Sequence, residues 1–365
     1  MSINPYSHKN DYFKYKEEYL AEITKVIESG QFIGGDSVTQ LEDSLKNYID
    51  INHAICVSSG TDALLIALMA IDIKSGDEII TTPFTWISTS EVIVLLGAKP
   101  VFVDICSKTF NINENKIEKE ITDKTKAILP VSLFGMMCNL PRIMEIAEEN
   151  NLYVIEDAAQ SMGAIIDGKK SCSLAHISCS SFYPTKPLGG WGDGGVCFTN
   201  DKNLAHKLNC IRNHGCIQRH NHELIGLNCR MSSLIAAPLL IKLKYFEESL
   251  INRISIAERY NNELKDLDYI KLPENLTDRH VYAQYTILLD NQTIRDKFIK
   301  YMKDNNINIC IFYPYPLYHQ DCLKNFYNKC PITEDICNRC VSLTCYDGLL
   351  YEEQSYIIKK IKEFI

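Results

Sequence analysis

The sequence predicts an α/β protein with a mainly parallel sheet in a large first domain and a smaller α+β unit after it. Three observations carry that expectation. From residue 53 to about residue 215, strand-like and helix-like segments alternate, the order that builds βαβ units. Strand candidates such as HAICVSS and DEIITTP are short and almost continuously apolar, as strands covered by helices on both faces must be. From about Tyr269 the order changes to one strong strand, VYAQYTILLD, one helix, TIRDKFIKYMKDNN, and a closing helix after Tyr351.

Two amphipathic helices open the chain. KYKEEYLAEITKVIESG is expected to stop at Gly30, and DSVTQLEDSLKNYI to begin with Asp36 as its N-cap. HAICVSS then reads as a strand, TDALLIALMAI as a helix, DEIITTP as a strand, STSEVIVLLGA as a helix and KPVFVDI as a strand. TKAILPVSLF continues as a strand, LPRIMEIAEEN as a helix, and NLYVIEDAAQ as a strand running into a turn. Beyond a Pro- and Gly-rich segment come a strand in GGVCFTN, a helix in DKNLAHKLNCIRNHG, and a long helical region from about Ser232 to Leu267. A domain boundary is expected inside that region, near residue 248, dividing the chain into 1–248 and 249–365. No internal repeat or low-complexity segment interrupts it.

With 365 residues, 46% of them hydrophobic, the chain can bury one large core or two smaller ones. The net charge is −8 and the pI about 5.7, with no block of like charge, so neither nucleic acid nor an anionic membrane is an expected partner. The amino terminus, MSINPYSHKNDYFKYKEEYL, lacks the apolar core of a signal peptide, and runs such as VIVLLGA are too short to span a bilayer. A soluble, cytoplasmic protein is expected. Fifteen cysteines, an odd number, are scattered from Cys56 to Cys345, several in apolar strand contexts where a thiol behaves as a small hydrophobe. Cys337 and Cys340 form one CxxC, but no second pair or matching histidines accompany it, so no metal site is expected. Reduced thiols in a reducing compartment are the better account.

In open α/β sheets, ligands bind beyond the carboxyl ends of the strands, and three segments fall there. SSGTDAL, residues 58–64, is a strand-to-helix turn whose glycine and hydroxyls leave N–H groups at a helix start, either an anion site or an ordinary capped helix. YVIEDAAQSMGA ends a strand on Glu156 and Asp157, so a carboxylate faces the cleft or caps the turn. In SCSSFYPTKPLGGW, Lys186 stands between Pro184 and Pro187 and is followed by Gly189 and Gly190. It is either a solvated loop lysine or an amine held still, whose desolvation would free it to attack a carbonyl carbon. Trp86, in PFTWISTSE, is an aromatic for stacking or for the core. Taken together, a phosphate cradle, a carboxylate and a fixed lysine are what pyridoxal phosphate requires.

The motifs SSGTDAL, PFTWISTSE, EDAAQSMGA, SFYPTKPLGGWGDGG and RNHG, in this order, resemble the DegT/DnrJ/StrS family of sugar aminotransferases. GLNCRMSSLIAAPLLIKLKYFEE and VYAQYTILLDN extend the likeness, which runs from about residue 15 to the C-terminus. The resemblance implies the aspartate aminotransferase fold (fold type I) of pyridoxal phosphate-dependent transferases and homodimers with active sites shared across the interface. It implies that Lys186 carries the cofactor and moves protons, that Asp157 pairs with the pyridine nitrogen, and that Gln160 touches the phenolate oxygen. Trp86 would stack on the ring; Thr61, Asp62 and Ser181 would hold the phosphate, joined by Asn228 from the other subunit. The apolar face of SSLIAAPLLIKLKYF would then pack near the dimer seam, unless it is an ordinary core helix.

The amino group would pass from an amino acid, glutamate, to a keto group of a nucleotide-linked sugar, as for surface polysaccharide or O-antigen. The basic loop RNHGCIQRHNHELIG, with Arg219 and His220 near its middle, suits the diphosphate of such a substrate or is simply solvated. Gln160 followed by Ser, GLNCR, and the YPxPLxxQ shape from Tyr313 to Gln320 are similar to the branch that acts on 3-keto sugars such as UDP-2-acetamido-2-deoxy-3-oxo-glucuronate. Phe312 departs from that branch, which has histidine before YP, and leaves a 4-keto-6-deoxy sugar as the alternative. Arg230 would bind a uronate carboxylate, or else pair with a carboxylate of its own chain. Two other classes are weaker. A dehydratase of the same fold replaces the lysine by histidine, and a non-catalytic nucleotide-binding module needs Rossmann glycines that are missing.

Overall fold

The computed structural model describes residues 2–7 and 9–364; Met1, His8 and Ile365, which the domain ranges above include, lie outside the described residues. A short α1 (Lys9–Lys14) leads into α2 (Lys16–Ser29), and Gly30 ends α2 at φ 67°, its N–H donating to the Ile27 carbonyl. In α3 (Asp36–Ile49) the N-cap is Gly35, not Asp36. Asp36 is already helical, and its carboxylate lies in the first turn, where the helix dipole favours negative charge.

The alternation runs as β1 (His53–Val57), α4 (Gly60–Ala70), β2 (Glu78–Thr81), α5 (Ser88–Leu95), β3 (Lys99–Phe102), β4 (Thr125–Ile128), α6 (Leu140–Glu149) and β5 (Tyr153–Asp157). A small hairpin of β6 (Ile165–Ile166) and β7 (Lys169–Lys170) precedes β8 (Ile177–Ser181), β9 (Gly195–Thr199) and α7 (Lys202–Ile211). One seven-stranded sheet results, in the order β1-β9-β8-β5-β4-β2-β3. β8, β5, β4, β2 and β3 pair parallel in turn, and β9 runs against both its neighbours. Alternate residues of each strand feed opposite cores. Ile80, Val154 and Phe198 join one apolar cluster, while Ile79, Ile155 and Cys197 join the other.

Within RNHGCIQRHNHELIG, read from the sequence as a loop, β10 (Cys216–Gln218) and β11 (Asn221–His222) form a hairpin. The long helical region is two helices, α8 (Ser233–Lys244) and α9 (Phe246–Leu264), which meet at Tyr245. The apolar face of α8, expected at a subunit seam, is covered within the chain. Ala236 and Leu239 sit in the same cluster as Leu41 and Leu45 of α3.

α9 serves two cores: Phe246 and Leu250 join the large sheet's cluster, and Ala257, Tyr260 and Leu264 join a second one. That second core covers an antiparallel sheet of β12 (Ile270–Lys271), β13 (Tyr285–Leu289) and β14 (Cys340–Leu343), in that order. α10 (Gln292–Asp304), α11 (Pro331–Arg339) and α12 (Tyr351–Glu363) complete the unit. The sequence does not announce β12, α11 or β14, which are short and lack a full period of apolar residues. Cys337 on α11 and Cys340 on β14 are both buried in an apolar cluster with Phe84 and Leu288. No helix among the described residues is long and apolar enough to cross a membrane.

Candidate active site

Parallel strands bring their carboxyl ends to one edge of the sheet, and four of them run into the segments singled out above. β1 leads to SSGT, β2 to PFTW, β5 to DAAQ and β8 to SFYPTK.

At the first, Ser59 caps α4 by accepting the Asp62 N–H at 3.0 Å. The Ser58 and Ser59 hydroxyls donate to Asp62 Oδ2 at 2.5 and 2.8 Å, so this carboxylate is turned to its own loop. What the helix start presents outward is the N–H of Gly60 and of Thr61, which have no intrahelical acceptor. Thr61 Oγ1 lies 2.8 Å from Ser88 Oγ on α5. On the far side stands Ser181: a Cβ on Gly60 would come 2.7 Å from the Ser181 Cβ, so only glycine allows this approach. N–H groups and hydroxyls thus converge at a helix N-terminus, an arrangement suited to phosphate.

On β5 two neighbouring carboxylates diverge. Glu156 is fully buried and accepts hydrogen bonds from the hydroxyls of Ser132, Ser171 and Ser178 and from the Cys172 N–H, at 2.8 to 3.0 Å. Burial pushes its pKa up and these four donors pull it back. Asp157, 6% exposed, accepts from Thr89 Oγ1 at 2.8 Å and from the Ala159 N–H at 3.1 Å. Its pKa is also raised by burial, opposed by Thr89, by Ala159 and by the charge of Lys186. Asp157 therefore caps the turn and faces the lysine.

Desolvation lowers the pKa of Lys186, and the Asp157 carboxylate opposes it. Dense protein surrounds the amine, yet the residue keeps partial exposure, and no hydrogen bond or ion pair from the described residues reaches it. Its loop is fixed by the backbone. The Lys186 N–H donates to the Tyr183 carbonyl at 2.9 Å and the Gly190 N–H to the Phe182 carbonyl at 2.7 Å. A Cβ on Gly189 would sit 2.1 Å from the Pro184 carbonyl oxygen, so the segment crosses itself where only glycine fits.

Gln160 is buried, its Oε1 accepting the Phe134 N–H at 2.8 Å and its Nε2 donating to Tyr313 Oη at 3.2 Å. Tyr313 thereby ties the C-terminal unit to this edge, and half-buried Phe312 packs beside it in a cluster with Phe84 and Phe134. Trp86 is 60% exposed and is not a core residue.

Asn228 and Arg230 lie beside the end of β1, where the Cys229 carbonyl accepts the Ser58 N–H at 2.8 Å. Arg230 Nε and Nη2 donate to Asn228 Oδ1 at 3.1 and 2.6 Å, and Nη1 donates to Asn213 Oδ1 at 3.0 Å. Its partners are amide oxygens and not a carboxylate of its own chain. Arg219 and His220 form the exposed tip of the β10–β11 hairpin, with no hydrogen bond or ion pair to Lys186, Asp157 or Gln160 among the described residues. Arg212 of the same basic segment is occupied with Glu42 at 2.5 Å and the Cys56 carbonyl at 2.8 Å.

Sequence reasoning missed Thr89, although a hydroxyl three residues after Trp86 in TWISTSE was an available signal. It also missed the serine ring around Glu156, which is assembled from segments with no local pattern in common.

The chain is 41% identical over 341 residues to the UDP-2-acetamido-2-deoxy-3-oxo-D-glucuronate aminotransferase of Pseudomonas aeruginosa, covering 93% of this chain and 94% of that protein. It is 36% identical to the UDP-N-acetyl-3-dehydro-α-D-glucosamine 3-aminotransferase of Acidithiobacillus ferrooxidans, over 95% of this chain and 94% of that one. Among solved structures, NtdA of Bacillus subtilis with bound cofactor PMP superposes with a TM-score of 0.91 at 31% identity, covering 96% of this chain and 82% of that one. Residues 14–362 match a single family from end to end, and at that coverage the chain belongs to the DegT/DnrJ/EryC1/StrS aminotransferase family.

Proposed function

We propose that this protein is a pyridoxal phosphate-dependent enzyme that transfers an amino group from glutamate to the 3-keto group of a nucleotide-linked sugar, such as UDP-2-acetamido-2-deoxy-3-oxo-glucuronate. The observation that carries the reading is Lys186, a desolvated amine with no hydrogen-bond partner among the described residues, facing the buried Asp157 carboxylate at the edge where α4 begins. Pyridoxal phosphate, when bound, supplies an electron sink for moving an amino group between two carbons.

The chain's own residues fit that group. Gly60 lets the α4 start close against Ser181, so that its free N–H groups and the Ser181 hydroxyl would hold a phosphate together, with the Thr61 hydroxyl beside Ser88. Asp62 would act by fixing the Ser58–Ser59 turn that presents the helix N–H groups, since its own charge repels phosphate and the hydrogens of both hydroxyls are engaged with it. Asp157 would keep a proton on the pyridine nitrogen, Trp86 would cover one ring face, and the second Nε2 hydrogen of Gln160 would reach the phenolate oxygen. The neutral amine that desolvation favours at Lys186 would attach to the aldehyde carbon. When displaced, its Nζ would take a proton from the donor's α-carbon and return one to the sugar carbon.

The 3-keto reading is supported by relatives named for 3-oxo and 3-dehydro sugars. A uronate is supported by Arg230: three of its five N–H donors are engaged, which leaves two for a carboxylate. Tyr313 and Phe312 would border the sugar, and Arg219 and His220 its diphosphate. Phe312 offers an apolar ring and no hydrogen bond, which favours a 4-keto-6-deoxy sugar as the second reading. A homodimer is supported by adjacent exposed apolar residues, Phe32 at 45%, Ile33 at 53% and Leu234 at 38%, brought together where Ile33 pairs with Ser232. In it Asn228 of the partner subunit would complete the phosphate site. The two-core packing of α9 supports a division of the chain within that helix, between Leu250 and Ala257 and so a few residues past the expected 248. We place the enzyme in the cytoplasm, feeding a surface polysaccharide such as O-antigen.

The test is a panel of 3-keto and 4-keto nucleotide sugars incubated with glutamate, with the amino sugar detected by mass spectrometry. The 3-keto uronate should be aminated fastest. Turnover confined to 4-keto sugars would overturn the regiochemistry, and no amination of any sugar would overturn the function.

A further inference from the structure

Away from Lys186, α7 and the β10–β11 hairpin bring together three side chains that the proposed reaction does not use. His206 and Cys210 lie one helical turn apart on the same face of α7, and Glu223 follows β11 directly. We propose that His206, Cys210 and Glu223 bind a thiophilic divalent metal ion, zinc by its chemistry, which clamps the base of the hairpin to α7. The sequence, where only the CxxC of Cys337 and Cys340 was weighed as a metal site, does not anticipate it; an HxxxC pair with a glutamate 13 residues later matches no familiar spacing.

The distances support it. His206 Nε2 lies 3.2 Å from Glu223 Oε2 and 3.7 Å from Cys210 Sγ, and all three ligand atoms fall within 4.8 Å of one another. A tetrahedral zinc ion with bonds of about 2.3 Å to sulfur and about 2.0–2.1 Å to nitrogen and oxygen holds its ligands roughly 3.3–3.6 Å apart. Two edges of that tetrahedron are therefore already in place. The third closes by a rotation of Glu223, whose exposed side chain is free to make it. Cys210 is covered but lies just beneath the surface, while His206 and Glu223 are exposed, so an ion reaches the thiol from solvent.

The donor set selects the metal. A thiolate and an imidazole favour zinc or cobalt over magnesium and calcium, which take oxygen ligands. Three protein ligands leave a fourth position for water. The neighbouring thiol, Cys216, is turned to the Gln218 carbonyl at 2.6 Å and is not counted. An exposed His206–Glu223 ion pair alone would account for two of the residues, but not for a thiol held against the imidazole. The clamped segment carries Arg219 and His220 at its tip, so the ion would steady the residues placed above at the substrate's diphosphate. The site itself rests on the geometry of α7 and the hairpin, independent of the reaction.

Cobalt(II) chloride titrated into the chelator-washed holoenzyme, followed by difference absorption, tests this. The expected result is one cobalt per chain with a thiolate-to-cobalt charge-transfer band. Cys210→Ser should remove the band. His206→Ala and Glu223→Gln, at exposed positions that do not threaten folding, should each weaken binding by about 100-fold or more, since even outer-shell partners cost about 10–100-fold. Absence of stoichiometric binding, or binding undiminished in His206→Ala, would overturn the proposal.

Discussion

Glu156 and Asp157 are adjacent acids at the end of one strand, yet their surroundings give them opposite duties. The sequence placed both at a strand end but left cap and cleft open for Asp157, because the deciding contacts, Thr89 and Lys186, are 68 and 29 residues away in the chain. Glu156→Gln should present an NH2 group to donors that need an acceptor, lowering stability by about 1–3 kcal/mol while leaving the cofactor's absorption unchanged. Asp157→Asn should behave the other way, with a melting temperature close to wild type and much slower turnover. Thermal melts and rates of both variants check this pair. Lys186 gives a pH prediction with a definite sign. Burial lowers its pKa and the Asp157 charge holds it up, so Asp157→Asn should move it further down. In cofactor-free protein, an amine-selective acylating reagent should label Lys186 at lower pH than ordinary lysines, and at lower pH still in the variant. A shift upward would contradict the geometry.

Arg230 shows how far one residue can be read. The sequence admitted a carboxylate of the substrate or of the chain, and in place of a carboxylate of the chain the structure gives amide oxygens. Two donors from Arg230 also settle the orientation of Asn228, whose Oδ1 is engaged so that its NH2 faces outward. Arg230→Lys should raise the KM for a uronate by about ten- to hundred-fold, the loss of a charged hydrogen bond of roughly 1.5–3 kcal/mol, and affect a hydroxymethyl analogue far less. Equal losses on both sugars would remove Arg230 from the sugar site.

Among the elements, those of the repeating βα order were the most legible, since two-sided burial writes itself as continuous apolar runs with glycine and polar breaks between them. Other features depend on distant partners. The break between α8 and α9 falls at Tyr245, which stacks on Tyr15 at 3.9 Å, a contact across 230 residues that no local pattern records. The α4 start is an element-scale device, because its donors work only if the turn can approach β8. Gly60→Ala should therefore fold but bind pyridoxal phosphate about tenfold more weakly or worse, about 1.4 kcal/mol, as the added methyl pushes on Ser181. Cofactor titration followed by absorption measures it; unchanged affinity would mean that the phosphate sits elsewhere.

For the molecule as a whole, the catalytic edge draws on the large sheet, on Tyr313 of the C-terminal unit and, in the proposed dimer, on a second chain. The expected mass in solution is twice the 41.7 kDa of one chain. If sites are shared, mixing Lys186→Ala with Asn228→Asp, each inactive alone, should restore about a quarter of wild-type activity, because half of the dimers are mixed and each holds one intact site. No recovery on mixing would confine the site to a single chain. The central claim is that Lys186 carries the cofactor, and one measurement addresses it without reference to any sugar. Protein loaded with pyridoxal phosphate is reduced with borohydride, digested and mapped by mass spectrometry. The account predicts the cofactor's mass on the peptide containing Lys186 and nowhere else; its absence there, or its presence on another lysine, would contradict it.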